Sequence, residues 1–372
     1  MKLFTIVDRY IIKKYLGTLS FMLILLSIVV LVIDVQAKVP RIERAKVFDD
    51  RFSVGYFLVH YYPFWIIYLV VTFLAILVFI TVIYFTSRMA NNTEIVAIIS
   101  SGASFHRFAK PYLLTSLFIA VISLGVNHFV LPWANIQKNK LEVYTMNEAN
   151  KEKILGTGPA SAQLTKNEYI FINSWNKKDL RGSGFVFQKF DKDKKLQYEL
   201  KASDISWDKA KQSFILTNYL EKTIRKDDTQ ALNNGAEISK IYGHTPEELF
   251  PNEMLGQNKT TPDLVKFIQR EKEKGNGNLN SYLNELHQRT AMPFAIVLLT
   301  FLALSLSSEK KRGGLGVNLA IGISLAFLFV FSFEALKVVS ENKVLPPALA
   351  MWLPNIVFLP LTAYLYIKRA NQ

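Results

Sequence analysis

No stretch of the 372-residue sequence carries a recognisable catalytic motif. The sequence lacks the Gly-x-x-x-x-Gly-Lys-Ser/Thr loop that cradles nucleotide phosphates, the His-Glu-x-x-His of zinc peptidases and the Gly-x-Ser-x-Gly turn of hydrolases. Cys is absent, which excludes thiol catalysis and Cys-ligated metals, and the five His residues are scattered. We therefore expect a non-catalytic chain with no cofactor or metal of its own. Any uphill transport must draw its energy from a partner or an ion gradient.

The segment most indicative of function is the loop at residues 87–104. Asn91 is placed to cap a short helix, Glu94 to complete a capping box three residues later, and Gly102 to end the helix. An amphipathic helix over about 91–102 can dock into a groove of a soluble partner or lie on lipid, and the spacing favours neither. The residues assigned to this surface are Arg88, Asn91, Glu94, Ile95, Ile98 and Ile99.

Ionisable residues also lie near the ends of long apolar runs. Asp34 and Lys38 follow the first run, Glu334 ends a later one, and His128 lies within a third. An ionisable group inside a membrane is a functional candidate. The helical rise of about 1.5 Å per residue places all four near headgroup level, however, where charge is tolerated. For Glu334 and His128, a functional and an interfacial interpretation both remain open.

The composition requires these apolar runs to be segregated from a polar block. Half of the residues are hydrophobic, yet 44 are Lys or Arg and 30 are Asp or Glu, and the mean hydropathy is +0.18. Crossing the hydrocarbon takes roughly 20 helical residues. Runs of about that length without charge predict six membrane spans; they cover residues 16–33, 61–87, 111–137, 290–308, 313–333 and 344–367.

The distribution of charge gives an expected orientation and excludes a nucleic-acid partner. Residues 134–289 hold 25 basic and 21 acidic residues, a net +4, which leaves +10 of the total +14 on the membrane part. Basic residues are most frequent before the first span, after the second, after the fourth and at the carboxyl end. The positive-inside rule therefore places both termini in the cytoplasm and the polar block on the outer side.

The polar block reads as a β domain. Leu196, Tyr198, Leu200 and Ala202 alternate with polar residues, the pattern of a half-buried strand. Turn-like clusters begin at Asn176, Asp191 and Asp208. Strands with this spacing suggest a sandwich or jelly roll; they are predicted over residues 168–175, 184–190, 196–202 and 213–220.

The predicted architecture is an α-helical membrane protein with three spans on either side of an inserted periplasmic, all-β, jelly-roll-like domain. Membrane half 1 covers residues 1–137, with spans at about 16–35, 61–87 and 111–133. The β-jelly-roll domain covers 138–260, and connector helices cover 261–289. Membrane half 2 covers 290–372, with spans at about 290–308, 313–336 and 344–367.

Four stretches in this order resemble the lipopolysaccharide export permease family, the F/G-type transmembrane subunits of the Lpt ABC exporter. They extend across nearly the whole chain. The stretches are Asp8-Arg9-Tyr10-Ile11, Asn92-x-Glu94-Ile95-x-Ala97-x-x-x-Ser101-Gly102, Leu286-His287-x-Arg289-x-Ala291-x-Pro293-Phe294-Ala295 and Arg312-Gly313-Gly314.

The resemblance implies a role in a Gram-negative inner membrane. The partners would be a second permease subunit, a cytoplasmic ATPase dimer that binds ATP and Mg, and periplasmic bridge proteins of jelly-roll type. Lipopolysaccharide would enter between the first span of one subunit and the fifth of the other. Glu94 would lie on the coupling helix and face a basic group of the ATPase. The lipid-binding or gate candidates would be Asp34, Lys38, Arg41, Arg44 and Glu334.

Two alternatives share the topology. One is a different ABC permease that drives mechanotransmission without moving lipid, and the other is a membrane-anchored periplasmic structural or chaperone protein. Cross-linking to lipopolysaccharide and copurification of an ATPase distinguish the three.

Overall fold

A computed structural model describes the chain at residues 5–145, 157–225, 229–250, 255–274, 279–309 and 314–371. It divides into two compact units. The first contains the long apolar helices and comprises Met1–Lys138, Gln257–Leu264 and Asn280–Gln372. The second contains a β-sheet and comprises Asn139–Gly256 and Val265–Leu279.

Six helices in the described part of the chain are long and apolar enough to span a membrane, which confirms the predicted number. They are α1 (Ile6–Ala45), α3 (Tyr62–Asn91), a third helix made of α5 (Phe105–Gly125), a π-helical segment (Val126–Val130) and α6 (Leu131–Thr145), then α10 (Asn280–Ser307), α11 (Gly314–Glu341) and α12 (Pro347–Ala370). The shorter helices are α2 (Val54–His60), α4 (Glu94–Ser100), α7 (Pro246–Leu249), α8 (Leu255–Asn258) and α9 (Thr261–Lys274).

Helices α1 and α10 each begin ten residues before the uncharged run predicted for them. Helix α1 is 40 residues long, because a capping box between Thr5 and Asp8 starts it ten residues before the first uncharged run. Helix α10 begins at Asn280, so residues 280–289, expected to form a connector, continue into the fourth span as one helix. No Pro or Gly occurs between Asn280 and Pro293 to break it. The Arg312-Gly313 pair before α11 lies outside the described residues.

Helix α10 lies at the centre of the membrane unit, where it packs against α3, α5, α11 and α12. Ala291, Ala295 and Ala303 are fully buried on it, and small side chains of this kind let neighbouring helices approach closely. Polar contacts add to this packing. The Asn355 amide donates to the Ala291 carbonyl at 3.0 Å, and the hydroxyls of Tyr15 and Thr300 lie 2.8 Å apart.

The second unit is a six-stranded antiparallel sheet, so the prediction of an inserted β domain is confirmed. Each strand pairs with the next one along the chain, which makes the sheet a meander in the described residues. The strands are β1 (Thr157–Thr165), β2 (Glu168–Asn176), β3 (Arg181–Phe190), β4 (Leu196–Asp208), β5 (Ser213–Ile224) and β6 (Gln230–Lys240).

One face of the sheet carries an apolar core, and its turns form where the polar clusters predicted them. Ile172 of β2 lies opposite Phe185 of β3, which lies opposite Ala202 of β4, and all three are buried. At the β2–β3 turn the side-chain oxygen of Asn176 accepts hydrogen bonds from two following backbone amides. Asp191 does the same at the next turn.

Candidate functional site

The loop between the second and third spans folds into the short helix α4. Helix α3 continues to Asn91, and Thr93 takes the N-cap position in a left-handed conformation with φ of 60°. The prediction that Asn91 caps α4 with Glu94 as its partner is therefore wrong: no side-chain cap bond forms, and Asn91 is the last residue of the preceding helix. Gly102 follows α4 with a positive φ of 89°, as expected of a residue that ends a helix.

The three isoleucines of α4 do not share one exposed face. Ile95 is 1% exposed and belongs to the core of the membrane unit, and Ile98 packs against that core. Val96 is 57% exposed and Ile99 is 36% exposed. Residues 95 and 98 are neighbours three apart that face the core, and residues 96 and 99 form the next such pair around the helix, toward solvent. The outward surface of α4 is therefore narrower than the predicted stripe.

Glu94 binds two side chains of α1. Its carboxylate accepts a hydrogen bond from the Tyr10 hydroxyl at 2.7 Å and forms an ion pair with the Lys14 ammonium at 3.0 Å. Asn92 donates to its other oxygen at 3.2 Å. Burial raises the pKa of Glu94, but the bonds from Tyr10, Lys14 and Asn92 lower it by more, so the net shift is downward. At neutral pH this carboxylate is ionised and bonded within its own chain.

A second ion pair holds the same end of α1. The guanidinium of Arg107, in the first turn of α5, donates to both oxygens of Asp8, at 2.7 and 2.6 Å. Asp8 is buried, and its side chain also accepts the backbone N–H of Thr5 in the capping box. We call the contacts among Asp8, Tyr10, Lys14, Glu94 and Arg107 the α1–α4 clasp. Sequence analysis marked the stretch from Asp8 but could not find its partners, which lie more than 80 residues away.

The other residues assigned to the loop surface lie on the last turn of α3. Arg88 is exposed and Asn91 is half-buried. Arg88 is thus an exposed cation on the helix that precedes α4.

Asp34 and Lys38 form a compact polar cluster with two tyrosines. Lys38 makes an ion pair with Asp34 one helical turn before it, at 3.0 Å, and donates to the Tyr61 hydroxyl at 2.7 Å. Its ammonium also lies 4.6 Å from the centre of the Tyr61 ring. The Tyr62 hydroxyl donates to Asp34 at 3.0 Å. The Lys38 side chain is only 12% exposed, and the ion pair with Asp34 neutralises its charge within the chain.

The remaining candidates are dispersed. Arg41 is half-buried, and Arg44 is exposed near the end of α1. Glu334 is exposed on α11, on the same helical side as the stacked rings of Phe327 and Phe331. Among the described residues, Glu334 forms no ion pair or hydrogen bond with the Asp34–Lys38 cluster.

His128 lies in the π-helical segment of the third helix and contacts the start of α9. A ring nitrogen of His128 is 2.8 Å from the Thr261 hydroxyl, which also accepts a hydrogen bond from Arg289 at 2.9 Å. Arg289 is buried and pairs with Glu285 on its own helix at 3.0 Å. These contacts link the third and fourth spans at the residue where α9 begins.

No group of three or more His, Asp and Glu in the described ranges is placed to hold a metal ion.

The fold defines a polytopic helical membrane protein with a β domain inserted between its third and fourth spans. The family model of the lipopolysaccharide export system permease LptF/LptG matches residues 9–368. The chain therefore belongs to that family, which confirms the resemblance seen in the sequence. A comparison with curated proteins finds no match.

Proposed function

We propose that the chain is a permease subunit of an ABC exporter that extracts lipopolysaccharide from the inner membrane and passes it to a periplasmic bridge. The observation that carries this proposal is the family match over residues 9–368. Both termini would be cytoplasmic and the sheet periplasmic. A second permease subunit, a cytoplasmic ATPase dimer and jelly-roll bridge proteins would complete the exporter, and the ATPase would hold ATP and Mg.

The exposed part of the 87–104 loop supports contact with the ATPase. Val96 and Ile99 offer an exposed apolar patch on α4, and Arg88 is an exposed cation on the last turn of α3, which precedes it. An aliphatic patch with a charged rim is the composition expected of a small docking surface. In this proposal Ile95 and Ile98 hold α4 in place from below, while Val96 and Ile99 enter the partner's groove.

The outward faces of α1 and α11 support contact with an acyl chain. Within an apolar 18-residue stretch of each helix, only 6% of the residues are buried in α1 and 22% in α11. Phe327 and Phe331 lie on the exposed face of α11 with Glu334 one turn beyond them. Arg41 and Arg44, near the end of α1, would meet the anionic head of the lipid.

Photocrosslinking in cells tests the substrate. A benzoylphenylalanine at Phe331 should form an adduct with lipopolysaccharide. The same probe at Phe118, which is equally exposed but on α5, should not. Equal adducts at both positions, or none at Phe331, would contradict lipopolysaccharide transport along α11.

Copurification tests the partner. A soluble ATPase should copurify with the wild-type chain and be lost when Val96 and Ile99 are both replaced by Asp. An ATPase without a lipopolysaccharide adduct would indicate the mechanotransmission permease instead. Absence of both would indicate a membrane-anchored structural or chaperone protein.

A further inference from the structure

The first turns of α1 are held at two points, one in the loop that contains α4 and one in the first turn of α5. Arg107, just after the loop, binds Asp8, and Glu94, at the start of α4, binds Tyr10 and Lys14. Two of the sequence stretches that carry the family resemblance therefore meet in space. The proposed transport function assigns a partner to the exposed side of α4 but gives these contacts no task.

The clasp resists separation because its carboxylates are largely shielded from water. The Asp8 side chain is 6% exposed and that of Glu94 27%. Moving either carboxylate away from its partners leaves a desolvated charge or a polar group without its hydrogen bonds, which is costly. The bidentate pairing of Arg107 with Asp8 also fixes direction, since both carboxylate oxygens are engaged.

Apolar packing joins the same elements beneath the charged layer. Ile95 of α4 is buried in one core with Ile11 and Tyr15 of α1. The Tyr15 ring lies 5.6 Å from Phe85 of α3 and 6.3 Å from Tyr112 of α5. The beginning of α1 and α4 thus share a packed base and a charged clasp.

The rest of α1 is held far less. Its buried residues are Asp8, Ile11, Tyr15 and Leu19 at one end and Ile42 and Ala45 at the other. No residue from 20 to 41 of this helix is buried. Between the first turns and the Asp34–Lys38 cluster, α1 therefore has little burial to oppose a movement of those turns along its axis.

We propose that Tyr10 and Lys14 are positioning residues that lock α4 to the first turns of α1, so that a displacement of α4 carries the first span with it. This rests on the proposed function, in which an ATPase displaces α4. Glu94 then acts on α1 within its own chain, through its bonds to Tyr10 and Lys14. In this proposal the role of Lys14 and Tyr10 is mechanical.

The absence of Cys from the chain allows a direct test with paired spin labels. One label replaces Lys13 and the other Ala97, both exposed positions on α1 and α4. The full-length chain is measured in lipid nanodiscs, alone and with any copurified ATPase in nucleotide-free and ATP-trapped states. The variant is Tyr10→Phe with Lys14→Met, and the matched control is Arg9→Met, which removes one exposed positive charge beside the clasp.

We expect one narrow distance distribution in the wild type and in Arg9→Met, unchanged between nucleotide states. The double variant should broaden it. ATP-dependent lipopolysaccharide release should fall by roughly tenfold in the double variant, the loss expected for about one charge-assisted hydrogen bond, while the ATPase still copurifies.

Two results would overturn the proposal: a double variant with the wild-type distribution, or a wild-type distance that changes on ATP binding. The measurement on the chain alone requires no ATPase. If no ATPase copurifies with the wild type, the proposed function fails, and the distributions of the chain alone still decide whether Tyr10 and Lys14 hold α4.

Discussion

At the scale of single residues, Asp8 and Arg107 form the pair whose disruption should cost the membrane unit most. Arg107→Met leaves the Asp8 carboxylate buried without its bidentate partner. We expect the free energy of unfolding to fall by roughly 2 kcal/mol, less than the loss for a fully buried pair, because the Arg107 side chain is 39% exposed. Chemical denaturation in detergent micelles measures the change.

A double-mutant cycle separates this pairing from lost packing. Asp8→Asn combined with Arg107→Met removes the unpaired charge, so the combined variant should be more stable than Arg107→Met alone. Additive losses would show that the two side chains are not coupled.

Glu221 makes the stability of the β-sheet depend on pH. The hydrogen bond from Tyr198 is the largest cause of its lowered pKa, and burial opposes it; bonds from Lys240 and Asn233 lower the pKa further. Because the folded pKa lies below the unfolded value, the stabilisation is present above the unfolded pKa, near 4.3. It is lost as pH falls through the folded pKa.

The expected outcome is a sheet that loses thermal stability on acidification less steeply in Glu221→Gln than in the wild type. Glu237→Gln, which removes an exposed carboxylate from the neighbouring strand β6, is the control and should follow the wild-type profile. Circular dichroism of the β signal over an acid titration checks this. Identical slopes in all three proteins would exclude Glu221 as a source of the dependence.

At the scale of elements, the two sides of α4 should respond differently to the same truncation. Ile95→Ala removes a side chain that is 1% exposed and should lower the free energy of unfolding by about 3 kcal/mol. Ile99→Ala shortens a side chain on the exposed surface. Because Ile99 is 36% exposed, this variant should lower the free energy of unfolding by clearly less than Ile95→Ala, and it should weaken the proposed association with the ATPase. A pull-down paired with denaturation measures both, and similar losses of stability in the two variants would refute the orientation of α4.

Elements with a strong local pattern were predictable, and contacts between distant residues were not. Alternation over residues 196–202 predicted β4, and long uncharged runs predicted the spans, because burial leaves a local pattern in the sequence. The prediction that Asn91 caps α4 was wrong, because α3 continues through Asn91 and Thr93 takes the N-cap position with a positive φ. The partners of Glu94 lie on another helix, and no local period reports such a pairing.

At the scale of the whole molecule, the excess positive charge should determine how the chain lies in the membrane. The polar block carries only +4 of the net +14, and basic residues such as Lys13 and Lys14 lie on the side of the termini. The positive-inside rule keeps such residues in the cytoplasm. In the proposed orientation the sheet is periplasmic, and Lys192 in the β3–β4 turn is exposed there.

Single cysteines in the Cys-free chain test this orientation. A membrane-impermeant maleimide added to spheroplasts should label Lys192→Cys, in the β3–β4 turn, at once. Ala97→Cys, on the exposed side of α4, should react only after the membrane is permeabilised, because the two positions lie on opposite sides of the bilayer in the proposed topology. Denatured protein, in which both react, controls for thiol reactivity. Labelling of Ala97→Cys in intact spheroplasts would place α4 outside the cell and remove the basis for its contact with a cytoplasmic ATPase, whatever the family of the chain.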